Sequence, residues 1–80
     1  MATEREPALA FYLVAEILGP NYFEHAPPRQ GRRVEVTGLD GLITVWDCTL
    51  RDADRVLVTI ANRRDAFARS KLFDRDKDKA

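Results

Sequence analysis

The sequence predicts an α+β domain, in which an N-terminal helix packs on a small antiparallel β-meander and a short C-terminal helix follows. Two observations predict this class. A nearly all-apolar helical run lies within the first eighteen residues, and alternating apolar and polar segments separated by turn residues fill 32–61. Eighty residues make one domain, so we expect a single core over 1–80. The meander has three or more strands, and one variant of this prediction bends it into a small barrel.

A helix is expected over residues 4–18. Thr3 and Glu6 have the spacing of a capping box, Pro7 suits the first turn, and Gly19 ends the helix. Its apolar residues surround most of the helix: Leu9, Leu13 and Ile17 on one side, Phe11, Val14 and Leu18 on another. Such a helix has to be buried on two sides, and a domain of this size has little interior. Part of its surface is therefore expected to meet another chain or a ligand.

Residues 19–31 are predicted to form a connecting loop. The loop contains Pro27 and Pro28 and two aromatic residues, Tyr22 and Phe23. Loops of this length in small domains are often functional or disordered. The two aromatic residues are expected to hold its first half against the body of the domain.

Three strands are predicted at residues 32–38, 42–51 and 55–61, joined by three-residue turns, the first with Gly41 in the left-handed conformation. In that register Val34 lies opposite Trp46. The predicted inner face, covered by the helix, consists of Val34, Val36, Leu42, Trp46, Cys48, Leu50, Val56, Val58 and Ile60. The outer face keeps a small apolar island of Ile43, Val45 and Leu57.

The segment 63–74 is predicted as a second short helix, with Ala66, Phe67, Ser70 and Phe73 near one side. A further strand is the alternative for this segment. The remaining residues, 75–80, alternate in charge and are expected to form a solvated tail.

The composition argues against several classes of function, including nucleic-acid binding by overall charge and metal binding. The formal net charge is zero, with 13 basic and 13 acidic side chains, so no overall field favours nucleic acid. One cysteine and one histidine provide neither a disulfide nor a zinc site, and no cofactor is expected. The apolar run is too short to span a bilayer, and Glu4 and Glu6 precede it where a signal peptide carries positive charge. We therefore expect a cytoplasmic protein without membrane contact.

Three residues invite a catalytic or ligand-binding interpretation. His25 beside Glu24 is a candidate base, Cys48 a candidate thiol, and Trp46 a candidate stacking surface. Alternation points Cys48 and Trp46 into the core, and no standard catalytic motif occurs. The chain is thus predicted not to be an enzyme, with a pocket around Tyr22, His25 and Trp46 as an alternative.

The arginines fall into two groups that lead into the first strand and out of the third: Arg29, Arg32 and Arg33, and then Arg63, Arg64 and Arg69. Antiparallel order would place both groups at one end of the sheet, as a rim for phosphate groups or nucleic acid. The alternative is a set of ion pairs with Asp47, Asp65, Glu24 and Glu35.

One stretch is similar in spacing to the first motif of Sm-like small β-barrel proteins: Val34-x-Val36-x-x-Leu39-Asp40-Gly41, then Asp52 and Leu57-Val58. The resemblance implies a ring-forming protein that binds single-stranded RNA. Trp46 stands where that motif has a glycine and Val56 where it has the RNA-contacting asparagine. No RNA-binding residue is therefore carried over.

The function expected from the sequence is a small non-catalytic binding or adaptor protein that forms a homo-oligomer and has room for a protein partner. The surplus apolar surface predicts the self-association residues Phe11, Val14, Leu18, Ile43, Val45 and Leu57. An Sm-like RNA-binding protein and a pocket near His25 are the alternatives.

Overall fold

A computed structural model describes residues 7–78. Two helices, α1 (Leu9–Leu18) and α2 (Leu50–Ala61), pack on one face of a three-stranded antiparallel sheet. The strands are β1 (Gln30–Gly38), β2 (Ile43–Cys48) and β3 (Ala66–Asp74), in the spatial order β2-β1-β3. A single 3₁₀ turn spans Tyr22–Glu24, and a four-residue helix, α3 (Arg75–Asp78), follows β3. The α+β class is confirmed, whereas the order of elements differs from the predicted meander.

Helix α1 begins later than predicted. Pro7 and Ala8 precede it, and Ala8 is its N-cap with no side-chain hydrogen bond. The predicted capping box of Thr3 and Glu6 lies outside the described residues. The first helical N–H, that of Leu9, instead donates a hydrogen bond to the carboxylate of Asp40 in the β1–β2 turn. The helix ends at Gly19 as expected, where φ is 101° and the N–H donates to the Ala15 carbonyl.

The first hairpin matches its predicted register. Val34 lies opposite Trp46, and the Gly38 N–H donates to the Leu42 carbonyl across a three-residue turn. Gly41 closes the turn with φ at 76°, a conformation that glycine adopts without strain.

The predicted third strand, 55–61, is wrong because this segment is helical. Thr49 caps α2 by accepting a hydrogen bond from the Asp52 N–H at 3.1 Å. Ala53, Val56 and Ile60 are spaced three and four apart and are all buried, which gives the helix its core-facing side. Val58 also alternates with Val56 and Ile60, so the same residues fit a strand pattern.

The C-terminal segment is a strand along most of its length, so the predicted helix over 63–74 is wrong and the strand alternative is correct. β3 pairs with the whole of β1, from Gln30 opposite Asp74 to Gly38 opposite Ala66. Since α2 connects β2 to β3 across β1, the chain forms an open sheet rather than a meander or a barrel in the described region. Asp52, Leu57 and Val58, which carried part of the Sm-like spacing, lie on α2.

The core lies between the two helices and the sheet. Its buried residues come from every major element except β3: Ala10, Val14, Val34, Val36, Trp46, Cys48, Ala53, Val56 and Ile60. Phe11 packs on Trp46 with 5.6 Å between ring centroids. Three residues predicted on the inner face, Leu42, Leu50 and Val58, are instead 55%, 58% and 55% exposed. None of the helices within 7–78 has the length and apolar character needed to cross a membrane.

Candidate functional site

One face of the sheet carries neither α1 nor α2, and we call it the uncovered face. Side chains alternate along a strand, so the odd-numbered positions of all three strands point to this face. Its residues are Arg33, Glu35 and Thr37 of β1, Ile43, Val45 and Asp47 of β2, and Phe67, Arg69, Lys71 and Phe73 of β3. The apolar members lie mainly on the outer strands, with charged side chains between them.

The first part of the β2 edge, from Ile43 to Trp46, carries no charged side chain. Ile43 and Val45 are 53% and 54% exposed on the uncovered face. Leu39 and Leu42 in the adjoining turn are exposed as well. No ionisable residue occurs from Gly41 to Trp46. We call Leu39, Leu42, Ile43 and Val45 the hairpin surface.

The six residues predicted for self-association do not share one surface. Val14 has no exposed area, and Phe11, Leu18 and Leu57 are partly buried against the core. Leu57 lies on α2, so it is separated by the sheet from Ile43 and Val45, and the predicted island of these three residues is not formed. Ile43 and Val45 alone remain open to a partner without a rearrangement of the core.

Most residues of the two arginine groups lie at opposite ends of the sheet, but Arg33 and Arg69 line one groove on the uncovered face. Arg32 pairs with Cys48 and Leu72 near the start of β1, whereas Arg63 and Arg64 precede Ala66 at the far end. A strand of nine residues separates these ends by about 26 Å at about 3.3 Å per residue. The single rim expected from the sequence is therefore not formed. The predicted meander would not have formed it either, because its first and third strands run in the same direction, so the start of one and the end of the other lie at opposite ends of the sheet.

Most of these arginines make local polar contacts. Arg33 pairs with Asp47 at 2.8 Å, Arg69 with Glu35 at 3.2 Å and Arg63 with Asp65 at 2.8 Å. Arg29 approaches Asp76 at 3.9 Å, and Arg32 donates to the Ser70 hydroxyl at 3.1 Å. These pairs are largely exposed, so each contributes little to the stability of the fold.

Arg63 and Asp65 influence each other's titration. The hydrogen bond between them raises the pKa of Arg63 and lowers the pKa of the Asp65 carboxyl. Arg64, the neighbour of Arg63, is exposed.

β3 presents a row of large side chains on the uncovered face. In order along the strand the row is Phe67, Arg69, Lys71 and Phe73. Phe67 is 63% exposed, and the Arg33 guanidinium lies 5.8 Å from the centre of the Phe73 ring. A groove of about 420 Å³ is lined by Arg33, Glu35, Arg69, Ser70 and Lys71. Basic groups outnumber the single carboxylate in this groove.

The 19–31 loop brings together the three residues of the predicted pocket. Tyr22, His25 and Trp46 line one cleft of about 530 Å³, together with Pro27, Arg33, Glu35, Val45 and Asp47. The rings of Tyr22 and His25 meet edge to face at 6.3 Å between centroids. The Trp46 indole N–H donates to the Thr44 hydroxyl at 2.8 Å. The cleft holds both charge signs and opens to solvent beside β2.

Cys48 lies behind this cleft and is fully buried. Burial raises the pKa of its thiol, and the nearby carboxylates of Asp52 and Asp47 act in the same direction. Tyr22 lies against Cys48 and Asp52, and its pKa is also raised, mainly by burial. The thiol is therefore protonated and shielded at neutral pH, unlike a nucleophile. No three His, Cys, Asp or Glu side chains within 7–78 are grouped to hold a metal ion.

Sequence reasoning missed the β3 row because it treated 63–74 as a helix. The available signal is an alternation of size: small residues at Ala66, Ala68 and Ser70 interleave with Phe67 and larger side chains. That period of two is typical of a strand.

Comparisons of the chain with protein-family models, curated proteins and solved structures find no match. The geometry and chemistry of the site itself therefore indicate the function.

Proposed function

We propose that this chain is a small non-catalytic binding protein that associates with a second copy of itself through β2 and the hairpin surface. The observation that carries the proposal is the uncharged, half-exposed apolar edge formed by Ile43 and Val45. Exposed strand edges of this composition pair with other strands.

The backbone of β2 supports edge pairing. The Gly38 N–H donates to the Leu42 carbonyl at 3.3 Å, so Gly38 and Leu42 form a hydrogen-bonded pair of the antiparallel ladder. Antiparallel ladders alternate between bonded and non-bonded pairs, so Ile43 and Val45 direct their N–H and C=O groups away from β1. Those groups are positioned to bond a further strand.

A second β2 strand is a compatible partner. Antiparallel pairing about Thr44 places Ile43 of one copy opposite Val45 of the other, twice, on the uncovered face. No like charges meet, because none occurs between Gly41 and Trp46. The product is a continuous six-stranded sheet.

The test is the molar mass in solution, measured by light scattering over a concentration series, for the wild type and two matched variants. Val45→Lys places a positive charge on the proposed interface. Glu35 lies directly opposite this position on β1, so the fold of the monomer is expected to accept the lysine. Val58→Lys is the control. Val58 is 55% exposed and Val45 is 54% exposed, but Val58 lies on α2, outside the proposed interface.

We expect a dimer for the wild type and for Val58→Lys, and a dissociation constant raised roughly tenfold or more for Val45→Lys, which corresponds to about 1.4 kcal/mol. Thermal unfolding of each variant verifies the fold. A wild type that is monomeric at every concentration, or equal behaviour of the two variants, contradicts the proposal.

The non-catalytic part of the proposal is supported by the burial of the Cys48 thiol and its raised pKa. A second candidate function, binding of a small ligand, is favoured by the convergence of Tyr22, His25 and Trp46 in one cleft. Its test is NMR screening with small aromatic carboxylates and amines, with the Trp46 indole N–H as reporter. Shifts of that signal that disappear in His25→Ala support the cleft, and no shift with any compound contradicts it.

A further inference from the structure

We propose that the opposite edge of the sheet, β3, binds an extended segment of a partner protein that carries acidic residues at alternate positions. The segment adds as a fourth strand beside β3. This site is separate from the hairpin surface, because β1 lies between the two edges.

Hydrogen bonding shows which groups of β3 point outward. The Arg75 N–H donates to the Arg29 carbonyl at 2.9 Å, immediately beyond the last paired residues of β1 and β3. Alternation along the ladder then assigns the odd-numbered residues of β3 to bonds with β1. The outward N–H and C=O groups belong to Ala66, Ala68, Ser70 and Leu72.

The edge is long and regular. β3 has nine residues and contains neither glycine nor proline, the residues that weaken or interrupt a strand. Its side chains on the helix side include Ala68, which packs against the core, and Ser70, whose hydroxyl accepts a hydrogen bond from Arg32. Leu72 on the same side is 61% exposed and offers an apolar contact. An added strand therefore finds backbone partners along β3 and an apolar contact at Leu72 on this side.

On the uncovered face, basic side chains beside β3 favour a partner strand with acidic residues. Arg33, Arg69 and Lys71 line the 420 Å³ groove with one carboxylate, Glu35. Arg33 is already paired with Asp47 and Arg69 with Glu35, while the Lys71 ammonium makes no ion pair with any residue in the described part of the chain. Acidic side chains of an added strand would enter this groove and form charge-assisted hydrogen bonds with the basic groups.

The same charges disfavour self-pairing of this edge. Full-length antiparallel pairing of two β3 strands about Ser70 places Arg69 of one copy opposite Lys71 of the other, twice. Like charges directly opposite each other destabilise a strand pair. Like charges therefore disfavour pairing of β3 with its own copy but favour pairing with an acidic strand. No such repulsion acts along Ile43–Trp46 of β2, which has no charged side chain.

The probe is the capped peptide Thr-Glu-Val-Glu-Val-Glu-Thr, titrated into the isotope-labelled full chain and followed by NMR. A peptide with Lys in place of Glu is the charge control. We expect the largest amide shifts at Ala68, Ser70 and Leu72, and binding of the Glu peptide at least about tenfold tighter than that of the Lys peptide. A several-fold increase in salt is expected to weaken the binding, since the charges lie near the surface.

Charge reversal provides the decisive comparison. Arg69→Glu combined with Lys71→Glu is expected to invert the preference, so that the Lys peptide binds more tightly. Arg51→Glu combined with Arg64→Glu changes the net charge equally at exposed positions outside β3 and is expected to leave the preference unchanged. Thermal unfolding verifies that both double variants are folded.

Three outcomes would overturn the proposal: equal binding of the two peptides, shifts centred on Ile43 and Val45, or an unchanged preference after reversal at Arg69 and Lys71. Tighter binding of a single-stranded RNA than of the Glu peptide at the same residues would also overturn it and would assign this face to nucleic acid. The mass measurement for Val45→Lys concerns the other edge, so either proposal can fail while the other stands.

Discussion

The carboxylate of Asp40, in the turn between β1 and β2, accepts a hydrogen bond from the backbone N–H of Leu9 at 2.9 Å. Asp40 is thirty-one residues away from Leu9 in the chain, yet it performs the task of an N-terminal cap for α1. Its second oxygen accepts from the Leu42 N–H at 3.1 Å, which orders the turn itself. A single side chain therefore joins the first helix to the hairpin that we propose as the self-association surface.

Replacement of Asp40 by alanine is expected to lower the free energy of unfolding by about 1–2 kcal/mol, as for the loss of a helix cap. Urea denaturation measures this change, and amide exchange at Leu9 and Ala10 should quicken in the variant. Asp54→Ala, at an exposed position on α2, is the control. A loss below about 0.5 kcal/mol would show that the contact does not stabilise the fold.

Thr49 caps α2 in the same way through local sequence. Thr49→Ala is expected to cost about 1 kcal/mol of stability because the Asp52 N–H loses its acceptor, while Thr49→Ser keeps the hydroxyl and most of the stability. Chemical denaturation of the three proteins measures both effects. Equal losses for alanine and serine would point to the methyl group rather than the cap.

Gly31 is required for close packing at the start of β1. A Cβ atom at this position would overlap the backbone carbonyl of Cys48. Gly31→Ala is therefore expected to destabilise the protein by about 1–3 kcal/mol, since the backbone must move apart. Thermal unfolding measures the loss, with Thr37→Ala in the same strand as the control. An unchanged melting temperature would mean that the strands separate there without cost.

Stability is expected to fall in alkali because of Cys48. Its pKa is raised above the ordinary 9.0 by burial, so above pH 9.0 the unfolded chain releases a proton that the native protein retains. The unfolded state is then favoured as pH rises further, whereas below pH 9.0 this contribution is constant. Tyr22 acts in the same direction above its ordinary value of 10.0.

The measurement is the slope of unfolding free energy against pH. Between pH 9 and pH 10 this slope is expected to be flatter in Cys48→Ala than in the wild type, whatever the variant loses in absolute stability. Tyr22→Phe should flatten it above pH 10. Identical slopes in all three proteins would contradict the assignment.

Local sequence was sufficient for the N-terminal half of the fold. The all-round apolar character of α1 predicted its burial, and Gly19 marked its end. The turn ending at Gly41 predicted the register of Val34 opposite Trp46, because a one-residue slip would have turned Trp46 to solvent. Both inferences use contacts between residues that are close in the chain.

Local sequence was ambiguous for the segment between β2 and β3. Val56, Val58 and Ile60 alternate as in a strand, while Ala53, Val56 and Ile60 recur as on a helix face. The cap between Thr49 and Asp52 favours the helix, and in the structure the helix buries Ala53, Val56 and Ile60 in the core. The residues of the candidate site were not predictable for a similar reason. Phe67, Lys71 and Phe73 lie together on the uncovered face only because residues 66–74 form a strand rather than the predicted helix.

By itself, the sequence determined the α+β class, the first helix, the hairpin and the balance of charge, because periodicity and turn chemistry act over a few residues. Only the tertiary structure decided that α2 crosses the sheet, that β3 pairs with β1 and that Asp40 caps α1. These features depend on contacts 28 or more residues apart in the chain, for which no local pattern specifies the partner. The difference between the two sheet edges, one largely apolar and one with basic side chains, follows from that long-range pairing.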